Sequence, residues 1–183
     1  MTHFHPLLTL LLFAASVLLV AWPDFRELRR GHIWNVAKSE AAEADLHGVR
    51  VFIDEARAMI LPVMDDRALI YLRLGLQGNP EVLKGWMMCD LGLTDSRGRK
   101  WLPLLNLAGV EIVNMLGEDS PVDDSCNQSL IFAVSEEEPA LSVQAFLVPI
   151  DVLNELRLEF AAMTTRPDAV SLPFRPVLRP PPG

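Results

Sequence analysis

The chain has 183 residues, of which 50% are apolar and 22% charged, a globular composition too apolar for intrinsic disorder. Sixteen Lys and Arg against twenty-four Asp and Glu leave a formal charge of −8. That balance argues against a nucleic-acid partner, which needs a basic face for phosphates, and against a polybasic grip on anionic lipid.

From Leu7 to Trp22 the chain reads LLTLLLFAASVLLVAW, with no charge and only Thr9 and Ser16 as polar members. As a helix these residues reach roughly 24 Å, slightly short of a hydrocarbon core about 30 Å thick, so residues 1–22 are expected to be an N-terminal transmembrane anchor. A cleaved signal peptide is the alternative. Its small residues, Ala14 and Ser16, fall in mid-run, and a cut there strands half the apolar stretch. Arg26, Arg29 and Arg30 come directly after the span, and positive-inside counting keeps the large C-terminal domain in the cytoplasm. Long domains after a span, however, translocate largely regardless of charge. Cys89 and Cys126, an even pair in a β-patterned domain behind an anchor, point to one disulfide and hence to an extracytoplasmic domain. Two buried cytosolic thiols are the alternative.

Residues 23–46 read as a stalk that leads into a first strand or short helix around Ile33 to Lys38. From Gly48 the period becomes two. Val49, Val51 and Ile53 alternate with Arg50, Phe52 and Asp54, and Ile70, Leu72, Leu74 and Leu76 alternate with Tyr71, Arg73 and Gly75, before Gly78-Asn79-Pro80 closes the run as a turn. A third strand is expected from Trp86 to Thr94, with Cys89, Leu91 and Leu93 facing inward and Trp86 outward. Asp95-Ser96-Arg97-Gly98 then reads as a hairpin turn, because Asp bonds its own backbone and Gly supplies a positive φ. Residues 117–124 are a loop by composition. Cys126 to Val134 reads as a central strand, Leu141 to Val148 as another, and Pro149 breaks it before a helical turn capped by Asp151. Leu156, Leu158 and Phe160 mark a further strand, and Val170, Leu172 and Phe174 a last one. The expected fold is therefore all-β, a sandwich of seven or eight strands over residues 47–177, with a Pro-rich tail at 178–183.

The hairpin LTDSRGRKWLP from Leu93 to Pro103, the two cysteines and AFLVPIDVLNELRLEF from Ala145 to Phe160 resemble immunoglobulin-like domains of the bacterial envelope whose function is unknown. The resemblance covers Ala68 to Phe174. It implies an immunoglobulin-like binding or structural module and carries no catalytic residues over; with the anchor and the cysteine pair, the expected place is the bacterial inner membrane, the domain periplasmic and the cytoplasmic orientation the alternative. It departs from antibody-type domains, since Asp124 stands two residues before Cys126 where those domains hold a Tyr.

All four histidines precede the sandwich core, so Ser125 and Ser129 lack an evident base, and no zinc spacing or phosphate-binding glycine loop occurs. No catalytic set and no cofactor is expected. Glu118, Asp119, Asp123 and Asp124 form a calcium candidate, although the spacing is not that of an EF-hand and a solvated acidic loop is the commoner explanation of such a run. Trp86 and Trp101 are a candidate binding surface, against the alternative that they cap sheet edges. Three functions are expected in order: a non-enzymatic, membrane-anchored module that binds a protein partner or serves envelope assembly; a barrel-like carrier of a small hydrophobic ligand; and a hydrolase using the acidic loop and His47.

Overall fold

Alternation alone dictates most of what the chain builds. In the computed structural model, which describes residues 9–13, 15–16, 32–33, 35–61, 64–86, 88–104, 116, 126–131, 133 and 135–180, the two-residue periods become two open sheets. Ten strands are formed among the described residues: β1 (Asn35–Lys38), β2 (Glu43–Leu46), β3 (Val49–Leu61), β4 (Met64–Gln77), β5 (Cys89–Thr94), β6 (Lys100–Trp101), β7 (Ala140–Pro149), β8 (Arg157–Ala162), β9 (Asp168–Pro173) and β10 (Val177–Leu178). One sheet runs β1-β9-β8-β5-β6 and the other β10-β3-β4-β7, with β2 also on β3. The pairings are antiparallel except β1 with β9 and β10 with β3.

Ile70, Leu72, Leu74 and Leu76 of β4 are fully buried on one face, as their spacing requires. Together with Val49, Val51 and Phe146 they meet Leu91, Leu93, Leu158, Phe160 and Leu172 of the other sheet in one shared core. Among the described residues the two sheets keep their own edges and are not joined into one barrel. On the outer side of β4, Tyr71 is also fully buried. It joins Met59, Leu69 and Ala145 in a second cluster over which Leu116 lies. Arg57 crosses this cluster, its guanidinium 5.6 Å from the Tyr71 ring centre and 2.5 Å from the Leu116 carbonyl. Gly75 lies beneath the Phe52 ring, which a Cβ would approach to 2.2 Å.

Several expectations change. The residues read as a stalk end in β1 and β2, which belong to the sheets, and β10 carries regular pairing into the tail at Leu178. Cys126 to Ile131, expected as a strand, is a short helix, α2, preceded in the chain by α1 (Pro80–Gly85). The buried residues Cys126, Ser129, Leu130 and Ala133 have the helical spacing i, i+3, i+4, i+7, a pattern hidden by apolar neighbours on both sides. The turn cluster before α1 serves as its cap: the Asn79 side chain accepts from the Glu81 N–H at 2.9 Å and Pro80 takes the first helical position. After Pro149 a single 3-10 turn, Ile150–Val152, forms with Asp151 inside it and no side-chain cap.

At the N-terminus, residues 9–13 and 15–16 are helical and Leu10 to Phe13 are exposed, while the rest of the expected anchor lies outside the described residues. No helix among the described residues is long and apolar enough to cross a membrane.

Candidate functional site

The two ends of the sandwich differ in chemistry. One end, at which β1 begins, gathers the β2–β3 turn, α1, α2 and the turn between β8 and β9. Leu46 pairs with Val49, so His47 and Gly48 form a two-residue hairpin loop, and both have positive φ, 53° and 81°. That backbone matches the right-handed twist of the flanking strands, and the Asp45 carboxylate secures it by accepting from the Gly48 N–H at 3.1 Å. The loop carries His47 across to the first residue of β9, where its Nε2 lies 2.9 Å from Asp168 Oδ2. Asn35 of β1 donates to the other Asp168 oxygen at 3.0 Å. The Asn35 amide, and after it His47, holds the Asp168 carboxyl below its ordinary range.

These contacts tie β1, β9 and the β2–β3 turn, and with them both sheets, together at this end. Ser129, one of the two serines read as lacking an evident base, donates its hydroxyl to the Leu141 carbonyl on β7. That bond, with the Leu104 N–H donating to Ala145 O at 2.7 Å, covers the exposed edge of β7.

The other end holds the β5–β6 hairpin, the β3–β4 hairpin, the 3-10 turn and β10. Asp95 of the sequence-predicted turn has a fully buried side chain. Its Oδ1 accepts from the N–H groups of Arg97 at 3.0 Å and Arg99 at 2.8 Å, and its Oδ2 from Arg99 Nε at 2.6 Å. Gly98 supplies φ 78°. Burial opposes ionisation of Asp95, but the Arg99 guanidinium and the two backbone donors outweigh it and hold the carboxyl below its ordinary range. At this end Ile60 (39% exposed) and Met64 (48%) beside the β3–β4 turn, Ile150 (39%) after β7, and Val177 (60%) and Leu178 (58%) of β10 present large apolar side chains to solvent.

Both depressed carboxyls make the same prediction about acid. A group whose folded pKa lies below its unfolded value near 3.8 stabilises the fold above that value, and the contribution is lost as pH falls through the folded pKa. Thermal melts taken downward from about pH 6 should therefore fall away below about pH 4, and Asp95→Asn should melt lower at neutral pH with a shallower acid limb. Parallel acid limbs for the wild type and this variant would show that Asp95 does not contribute.

Of the other candidates, Cys89 and Cys126 form a disulfide with Cα atoms 6.0 Å apart, joining β5 to α2. The Asn127 side chain accepts from the Cys89 N–H at 2.9 Å beside it. Trp86 does not stand on the outer face. It caps α1, three residues before β5 begins, is 5% exposed, and packs in the core 6.1 Å from the Phe160 ring. Trp101 is half-buried against the same core, with the Arg99 guanidinium 5.4 Å over its ring. The pair is thus not one exposed platform. Glu118, Asp119, Asp123 and Asp124 lie outside the described residues. Among the described residues no group of three or more His, Cys, Asp or Glu side chains could hold a metal ion. Glu136 accepts from the Asn79 amide at 2.9 Å, so the acidic turn after α2 braces α1.

No family model matches the chain, and no curated protein does. Among solved structures it is similar to one described as a "putative lipoprotein" from Staphylococcus aureus, at 10% identity and a TM-score of 0.42, over 77% of this chain and 94% of that one.

Proposed function

We propose that this chain is a non-enzymatic, single-span protein of the bacterial inner membrane whose sandwich is immunoglobulin-like, stands on the periplasmic side, and binds another protein through the end opposite the start of β1. The compartment is supported by the Cys89–Cys126 disulfide, since such bonds persist in oxidising surroundings. The immunoglobulin-like reading is supported by the strand order. With β3, β4, β5, β7, β8 and β9 taken as strands A, B, C, E, F and G, the sheets pair A-B-E and C-F-G. The disulfide joins strand C to a helix, unlike the antibody bridge between B and F.

The observation that carries the binding role is the far-end apolar set Ile60, Met64, Ile150, Val177 and Leu178. Exposed large apolar side chains beside polar groups mark protein contact surfaces, and here Arg175 and Arg179 flank β10. The test places a photoreactive amino acid at Met64 or Leu178 of the full chain in its native membranes, with exposed Lys38 of β1 as control. One discrete protein adduct at both far-end positions and none at Lys38 is the expected result. Adducts equally distributed over the three positions, or none at any, would overturn the assignment.

A further inference from the structure

We infer that the end of the sandwich at which β1 begins rests in the headgroup region of a zwitterionic bilayer through Val82, Met88 and Met163; this rests on the reading of residues 7–22 as a membrane anchor.

Topology supplies the first argument. Asn35 opens β1 opposite Asp168, the first residue of β9, so the chain arrives from its N-terminal segment at this end. The twelve residues 23–34 between the anchor and β1 could span about 40 Å if extended, so the tether alone leaves the orientation free. A surface contact is needed to set it.

The second argument is the surface that this end presents. Met88 is 63% exposed, Met163 52% and Val82 40%. Met88 and Met163 are neighbours, since the Met163 N–H donates to the Met88 carbonyl at 3.0 Å, and the Thr164 hydroxyl, donating to Gly85 O at 3.3 Å, ties that turn to the end of α1, the helix that carries Val82. Unbranched, polarisable thioethers adapt to an irregular apolar surface, which suits the boundary between headgroups and acyl chains. Charge decides the lipid class. The cations beside the patch are already matched, Lys84 to Glu81 at 3.3 Å and Arg166 to Asp90 at 2.9 Å, and the chain as a whole carries −8. Attraction to anionic lipid therefore contributes nothing here, and burial of apolar area is what holds the end down.

The molecule contains its own control, because Met64 is 48% exposed at the opposite end. Full-length protein is reconstituted into phosphatidylcholine nanodiscs at one copy per disc, and methionine oxidation is tracked by mass spectrometry. Met88 and Met163 are expected to oxidise several-fold more slowly than Met64, reversing the order of their exposures. Rates that track exposure, Met88 fastest, overturn the docking while leaving the anchor intact. Protection that arises only when two copies share a disc assigns the patch to a second copy and also overturns it. Protein that floats free of the discs removes the anchor itself, a failure read before any methionine is measured.

Discussion

Phe160→Ala is expected to lower the unfolding free energy by about 4 kcal/mol, a large part of the roughly 5–15 kcal/mol typical of a domain. Phe160 is fully buried on β8, paired with Leu91 on one side and Val170 on the other, with the Trp86 ring 6.1 Å away and tilted by 36°. Truncation removes apolar transfer energy, leaves a cavity between two sheets that cannot collapse independently, and forfeits an aromatic pair worth about 1 kcal/mol. The neighbouring residue supplies the contrast. Glu159 faces outward and pairs with Lys100 at 2.8 Å, so Glu159→Ala should cost no more than about 1 kcal/mol. Urea denaturation of the full chain in mild detergent measures both. Similar midpoint shifts for the two variants would mean that β8 does not alternate between core and solvent as described.

That alternation is legible in the residues alone. Leu156, Leu158 and Phe160, and Ile70 to Leu76, announce their faces because the side-chain period of a strand is local and one face is buried. The Asp95 turn is legible for the same reason: both acceptor bonds of Asp95 Oδ1 fall within four residues. What escapes is what depends on distant chain. Tyr71 sits on the face opposite Ile70, as its spacing requires, but is buried because Leu116 crosses over it from forty-five positions away. His47 meets Asp168, 121 residues on, from the β2–β3 turn, and Asn35 meets it through the parallel pairing of β1 with β9, neither of which a local pattern encodes. Trp86 and the Cys126 run depart from expectation because apolar residues on both faces erase the difference between periods of 2 and 3.6, so a short buried helix and a central strand read alike. Of the candidate site residues, the cysteine pair is legible from parity and context alone, whereas the exposed ends of the sandwich become visible only once the strands are aligned.

Converting Cys89 and Cys126 together to Ala should destabilise the oxidised protein by about 4 kcal/mol, the loop-closure value for a bridge spanning 37 residues. The loss should be uneven. The bridge fastens α2, and with it the chain leading to β7, to the first residue of β5, while the shared core of β4, β8 and β9 has its own packing. Cys126 is 3% exposed within that core, so Ala also leaves a small void, which the reduced wild type does not have. Comparing oxidised wild type, reduced wild type and the double variant separates the bridge from the void. Amide exchange is expected to accelerate first at Leu130 and Ala133 and last at Ile70 and Leu72, because local opening needs only the release of α2. Equal midpoints for oxidised and reduced protein would remove the bridge from the stabilising set. The same chemistry reads the compartment: alkylation of intact cells before lysis should find both thiols blocked by their disulfide, and free thiols at that step would place the sandwich in the cytoplasm and end the envelope assignment.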